Sequence, residues 1–134
     1  MPLSFTSFKP IYIHQPSLVI APAGASNIAL GKMIFADTGD VLSIADPAND
    51  KDPAGIAINA FDSGNTGQAI GSGSILQDVT LSLTPFDVYF MDPNGDLELA
   101  AAAGIPVTTK MVQCAIVVEP DKLLIQIVRT GYVK

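Results

Sequence analysis

Short apolar runs recur along the chain between clusters of Gly, Pro, Asn and Asp. The runs are rich in Val, Ile, Leu, Phe, Thr and Tyr, which favour β-strands, and no window of eleven or more residues keeps helical spacing without a Gly or Pro interrupting it. Such short, regularly spaced strands are typical of a small antiparallel β-barrel or β-sandwich, so the fold class is predicted to be all-β. The strands are predicted at residues 11–14, 18–20, 32–36, 41–45, 55–60, 67–71, 75–83, 86–91, 96–100, 111–118 and 123–129.

The apolar pattern also predicts which strand faces are buried. Residues 79–84 alternate apolar side chains with hydroxyls, which predicts a strand with one wet face. Residues 111–118 and 123–128 are almost continuously apolar, which predicts strands covered on both faces, by the core and by something else.

Three connections have the residue types that tight reversals require. Residues 37–40 and 92–96 combine Asp with Gly, and residues 119–122 place a Pro between two very apolar runs. Each predicts a β-hairpin. The alanine-rich segment 98–103 is too short to nucleate a helix and is predicted to be a loop, and Gly64, Gly67, Gly71 and Gly73 are predicted to mark bends.

The first two hairpins resemble each other. Residues 34–41 align with residues 89–97, so that Phe35 corresponds to Phe90 and Asp37 to Asp92. An irregular stretch and then a small-residue strand follow each hairpin. The similarity predicts two related hairpin units that form halves of one barrel or sandwich, although Asp and Gly are common in all hairpins and leave coincidence open.

The N-terminal segment, residues 1–27, differs from the domain predicted at 28–134. Residues 10–31 carry no formal charge, but their prolines and polar residues exclude a transmembrane helix and interrupt the apolar run of a signal peptide. Because Pro10, Pro16 and Pro22 cannot donate to a sheet ladder, the segment suits an extended N-terminal arm on another subunit or, equally well, an edge covering of its own domain.

Composition narrows the possible partners. The 134 residues are 49% hydrophobic and only 15% charged, and 7 basic against 13 acidic side chains give a formal net charge of −6. This balance argues against nucleic acid as a direct partner, because phosphate affinity depends on clustered basic residues. The single cysteine, Cys114, cannot form an intrachain disulfide.

The inventory of reactive groups is thin. His14 has no second His or Cys with which to share a metal, and Cys114 lies in an apolar strand and is predicted to be a core residue. No glycine-rich phosphate loop is present, and Ser72 lacks the spacing of a nucleophile elbow. We predict that the protein is not an enzyme.

Two acidic clusters raise the question of a metal. Asp92, Asn94, Asp96 and Glu98 occupy alternate positions, as in calcium loops, but the glycine is one place early and the twelfth-position Glu is missing. A hairpin with a solvated acidic tip explains the same residues, so no metal site is predicted there, although a metal is left open. The second cluster, Asp46, Asp50 and Asp52, is predicted to be an exposed loop.

Several short motifs carry a family resemblance. Residues 30–35, 39–41, 55–60 and 67–70, followed by a second hairpin with 89–91 and 95–97, resemble the small β-rich capsid decoration (cement) proteins of tailed bacteriophages. The resemblance spans residues 28–128 and rests on apolar and glycine motifs that are structural in the family. Residues 1–27 match no motif.

The resemblance implies a structural virion protein that binds the outer surface of a phage head and stabilises it. It implies a major capsid protein as partner, a homotrimer, no cofactor, and a location on the capsid surface after synthesis in the host cytoplasm. The charge-free segment is where we expect oligomer or capsid contacts, at Ile11, Tyr12, Ile13, Leu18, Val19 and Ile20.

The alternative is a receptor- or glycan-binding module of a phage tail fibre or spike. Such a module needs aromatic residues in exposed loops. The chain has no Trp, and Tyr12, Tyr89 and Tyr132 lie in or beside predicted strands, which weakens this alternative.

Overall fold

The computed structural model describes residues 2–6, 8–24, 26–46, 51–102 and 104–134. These residues form eleven β-strands and one short 3₁₀ turn, Gln15–Ser17. The strands are β1 (Lys9–Tyr12), β2 (Val19–Pro22), β3 (Met33–Asp37), β4 (Val41–Ile44), β5 (Gly55–Ala57), β6 (Thr66–Ile70), β7 (Ile75–Gln77), β8 (Val88–Met91), β9 (Leu97–Leu99), β10 (Lys110–Glu119) and β11 (Lys122–Val133).

The strands pair into two antiparallel sheets that pack as a β-sandwich. One sheet has six strands in the order β1-β7-β11-β10-β8-β9, and the other has five in the order β2-β6-β5-β3-β4. The all-β prediction is confirmed, and each predicted strand overlaps an observed one. The three predicted hairpins are confirmed as well, since β3 pairs with β4, β8 with β9 and β10 with β11.

The alternating strand predicted over residues 79–84 is wrong, because β7 ends at Gln77. The carboxylate of Asp78 accepts hydrogen bonds from the backbone N and the Oγ1 of Thr80, at 3.0 and 2.5 Å, and turns the chain away from the sheet. It also accepts one from the backbone N of Thr6. These side-chain hydrogen bonds replace the backbone bonds of a strand, so the alternating pattern of residues 79–84 does not produce one. Val79 is exposed as a result.

The two halves of the chain have the same strand topology. Strands β2 to β6 and strands β7 to β11 both run in the spatial order first, fifth, fourth, second, third. Each strand of the second half begins 55 or 56 residues after its counterpart, as the starting pairs 19 and 75, 33 and 88, 41 and 97, 55 and 110, and 66 and 122 show. The two related hairpins therefore belong to two five-strand units, and each unit supplies one sheet.

The buried apolar side chains form two cores. The main core lies between the sheets and includes Met33, Ile56 and Ile70 of the five-stranded sheet. The small core covers the other face of that sheet, where the neighbouring residues Ile34 and Ala57 point. Because the edge strands β2 and β4 also meet, through a bridge between residues 23 and 42, the five-stranded sheet curls around the small core.

The structure does not show an extended N-terminal arm. The N-terminal segment instead covers sheet edges of its own domain, which was the alternative prediction. Strand β1 pairs with β7, and β2 pairs with β6 at the edge of the other sheet. Leu3, Phe5 and Phe8 pack against the main core. The backbone N of Leu3 also donates to the carbonyl of Leu97 in β9, at 2.9 Å. The apolar side chains draw the segment onto its own domain, since their burial removes them from water.

Candidate functional site

The six expected contact residues separate into two groups. Ile11, Tyr12 and Ile20 are exposed, with 47, 54 and 58% of their surface accessible. Ile13 and Leu18 pack against the main core, and Val19 packs against the small core. Three of the six are therefore accessible to another chain, and the other three contribute to the fold of this one.

A serine network fixes the crossover from β1 to β2. The backbone N of His14 donates to Ser74 Oγ at 3.0 Å, and Ser17 Oγ donates to the carbonyl of His14 at 2.8 Å. The backbone N of Gly71 donates to Ser17 Oγ at 3.2 Å. These bonds tie the two edge strands to β6 and β7, so Ile11, Tyr12 and Ile20 are presented from a fixed backbone.

The outer face of the six-stranded sheet carries an apolar row that was not predicted from the sequence. Its members are directly paired across five strands and all keep part of their surface accessible. The prediction that residues 111–118 and 123–128 are covered on both faces is therefore confirmed for the inner face only. We call the set the outer row: Tyr12, Ile75, Leu124, Ile116 and Val88.

An aromatic side chain protrudes from the loop before β8. Phe86 is 83% exposed and has a φ of +71°, a left-handed conformation that is unfavourable for a bulky residue. Its backbone N donates to the carbonyl of Val117 at 2.8 Å, which anchors the loop to β10. The sequence placed Phe86 inside a strand, because an apolar residue next to residues 87–91 extends the β pattern, and so missed this exposed aromatic.

The acidic hairpin is confirmed as a turn, but two of its three carboxyl groups are buried rather than solvated. Asp92 and Glu98 are 2 and 1% exposed. Asp92 Oδ1 accepts hydrogen bonds from the backbone N of Asn94 and of Asp96, at 2.8 and 2.9 Å. Lys32 Nζ forms an ion pair with Asp96 at 2.9 Å. The oxygens of the calcium-like pattern thus stabilise the turn and join it to the start of β3.

Burial raises the pKa of the Asp92 carboxyl, and the hydrogen bond that protonated Asp92 donates to Glu98, together with the charge of Glu98, raises this pKa further. The amide hydrogen bonds from residues 94 and 96 oppose the shift. Because the folded pKa lies above the unfolded one, the folded state favours protonated Asp92. The contribution of this group to stability is present at low pH and is lost as the pH rises through the folded pKa.

Glu98→Gln is expected to weaken this pH dependence. The amide keeps the shape of Glu98, can donate to the Asp92 carboxylate and removes a like charge, so the variant should gain about 1 kcal/mol at pH 7, or roughly 3–6 °C in Tm. Thermal unfolding at pH 4 and pH 7 measures the effect. Asp62→Asn, at an exposed loop position, is the control. Equal pH dependence in wild type and Glu98→Gln would contradict the assignment.

A surface groove of about 380 Å³ lies beside the end of β11. Arg129 Nη1 pairs with Asp52 Oδ2 at 3.0 Å at this groove, which Lys110 and Tyr132 also line. Of the second predicted acidic cluster, Asp52 is therefore ion-paired, Asp46 exchanges backbone hydrogen bonds with Lys51, and Asp50 lies outside the described residues. The groove carries charges of both signs and does not select a ligand class.

The reactive groups singled out in the sequence do not converge on one site. Cys114 is confirmed as a core residue, and burial raises the pKa of its thiol far above the ordinary value. His14 is exposed in the crossover. Within residues 2–6, 8–24, 26–46, 51–102 and 104–134, no three His, Cys, Asp or Glu side chains are grouped closely enough to hold a metal ion.

The same described part of the chain contains no helix with the length and hydrophobicity needed to cross a bilayer. In comparisons with known proteins, no family model matches the chain and no curated protein is similar to it.

Proposed function

We propose that this protein is a capsid decoration (cement) protein, a structural virion protein that binds the major capsid protein on the outer surface of a phage head and stabilises it, as a homotrimer. The observation that carries the proposal is the exposure of Ile11, Tyr12 and Ile20 on two edge strands. The hydrogen bonds of the serine network fix the backbone between these strands. Apolar side chains presented from a rigid frame are suited to contact another protein surface, because little ordering entropy is lost on binding.

The motifs that resemble the decoration proteins support the proposal in a second way. Residues 30–35, 55–60 and 67–70 contribute to β3, β5 and β6, the centre of the five-stranded sheet. They build the frame, which agrees with the structural part that such motifs play in that family. The contact residues lie outside these motifs, where decoration proteins differ from one another.

Capsids assembled from the major capsid protein encoded with this chain provide the test. We expect the full-length protein to co-sediment with them and to raise the temperature at which they disrupt. Ile11→Ser combined with Ile20→Ser should weaken binding at least about tenfold, since each loses roughly 1 kcal/mol of apolar burial, while Tm changes little because both side chains are exposed in the free protein.

Val107→Ser is the matched control, because Val107 is 73% exposed in a loop outside the strands. It should bind capsids as the wild type does. Failure of the wild type to bind would refute the proposed function. Undiminished binding by the Ile11→Ser and Ile20→Ser variant would instead move the contact to another surface.

Phe86 favours a second candidate, the glycan-binding module. An exposed aromatic ring in a loop is what stacking on a sugar requires, and Thr84 beside it adds an exposed hydroxyl. A glycan-array screen decides between the two. A signal that Phe86→Gly abolishes would establish the glycan module, since glycine accepts the positive φ without strain and leaves the fold unchanged.

A further inference from the structure

The outer row is a continuous apolar stripe across the six-stranded sheet. Residues that are direct partners in an antiparallel ladder share one face, and the pairs run from Tyr12 to Ile75, on to Leu124, then Ile116 and finally Val88. Their neighbours along the strands, such as Leu76 and Leu123, point into the main core. The row therefore lies on the side of the sheet turned away from the core.

The outer row carries no charge in a chain whose formal net charge is −6. On β1, β7 and β11 the next row of the same face is polar, with Lys9, Gln77 and Lys122 paired in register. Lys122 also forms an ion pair with Glu119. Two acidic copies can approach at the outer row without placing like charges in contact, and the polar row beside it can remain hydrated at the rim.

The internal repeat shows what covers the equivalent face. Met33 at the start of β3 corresponds to Val88 at the start of β8, and Ile34 corresponds to Tyr89. Ile34 points to the small core and Tyr89 to the main core, whereas Met33, on the other face of β3, is fully buried because the second unit packs on that face. Val88 lies on the corresponding face of the second unit, which no third unit of this chain covers among the described residues.

We propose that the outer row packs against a second copy of this chain, sheet against sheet. A second copy supplies the same uncharged, pleated row, so two outer rows can face each other. An anionic membrane or a nucleic acid would be repelled by the acidic protein, and neither offers a pleated apolar surface. The contact between copies stands whether or not the protein binds a capsid.

Sedimentation velocity of the full chain from about 1 to about 200 µM tests the inference, across the range in which contacts of this size associate. We expect a mass that is a multiple of 14.0 kDa for the wild type. Ile116→Thr combined with Leu124→Thr should weaken association about tenfold or more and favour the monomer. Threonine is β-branched, which strands prefer, and it removes part of the apolar contact.

Tyr12→Thr provides a second variant at the accessible end of the row, where the side chain is 54% exposed and its replacement does not open the core. Val79→Thr, at a 71% exposed loop position, is the control and should keep the wild-type mass. Circular dichroism confirms that each variant is folded. A wild type that is monomeric at every concentration, or row variants that keep the full mass, would overturn the inference.

Capsid binding by the same samples separates this inference from the proposed function. Row variants that become monomeric and still bind capsids support the inference and leave the capsid contact to Ile11 and Ile20, which lie outside the outer row. A monomeric wild type whose capsid binding is lost in the row variants would assign the outer row to the capsid and refute the contact between copies.

Discussion

A chain that lacks residues 1–12 is expected to melt at least about 10 °C below the intact protein, or to show no cooperative transition. The truncation removes β1 and the core contacts of Leu3, Phe5 and Phe8. If each of these half-buried side chains contributes about 1–2 kcal/mol, the loss of roughly 3–6 kcal/mol is comparable with the total stability of a domain, about 5–15 kcal/mol. Differential scanning calorimetry measures the effect.

Phe5→Ala tests the stabilising effect of the N-terminal segment with a single substitution. A Cβ built on Gly31 would lie 2.3 Å from the Phe5 ring, so the ring covers this glycine directly, and it also lies 4.3 Å from the ring of Phe8. We expect a loss of about 2 kcal/mol, below the usual cost for a fully buried Phe because Phe5 is half-buried. Ser4→Ala, at an exposed neighbour, should change little.

Full stability of the truncated chain would contradict this prediction and would favour the alternative in which the N-terminal segment is an arm that lies on another subunit. The distinction matters for function, because a truncation that unfolds the protein also abolishes every contact it makes. Surface substitutions such as Ile20→Ser are therefore the informative variants for capsid binding, since they change the contact without opening the core.

The strands could be predicted from the sequence because their signals are local. Residues 41–44 and 66–70, for example, are bounded by turn residues that end a strand wherever it lies in the fold. The similarity of Phe35 and Phe90, each followed two residues later by Asp, predicted the two related units. The structure extends this similarity from the hairpins to five strands of each half.

The surfaces could not be predicted in the same way, because they depend on register and on contacts between distant residues. Nothing local shows that Ile116 lies beside Leu124 on one side and Val88 on the other. The apolar run 111–118 gave the correct strand, yet a bulge between Gln113 and Ala115 changes which residues face the core. Phe86 was missed because its exposure follows from where β8 begins.

The role of individual glycines could also be predicted only in part. Gly64 and Gly73 have positive φ and lie at bends, as predicted. Gly67 lies within β6 instead, where a Cβ would meet the Phe61 ring at 2.1 Å. Gly71 follows β6 at a close approach to the carbonyl of Ala54. Composition identifies a glycine that has special geometry, but only the pairing of strands shows whether it serves a turn or a tight contact.

Gly55→Ala is expected to be among the most destabilising single substitutions in the chain. Its Cβ would lie 2.7 Å from the carbonyl O of Ile70 and 2.9 Å from the carbonyl C, both backbone atoms of the neighbouring strand β6. The two strands must separate at the centre of the five-stranded sheet, which we expect to cost about 2–3 kcal/mol, or roughly 6–15 °C in Tm. Thermal and urea unfolding measure the loss.

Gly24→Ala is the control, because its Cβ would make only ordinary contacts, the nearest at 3.4 Å to Val41, and it should change the free energy of unfolding by less than about 1 kcal/mol. The register continues from Ile56 and Ile70 to place Gly55 opposite Gly71, whose own Cβ would lie 2.8 Å from the Ala54 carbonyl. Once one alanine has moved the strands apart, the second finds space. The double variant should therefore lose at least about 1 kcal/mol less than the sum of the single losses, and strict additivity would show that the two clashes are relieved independently.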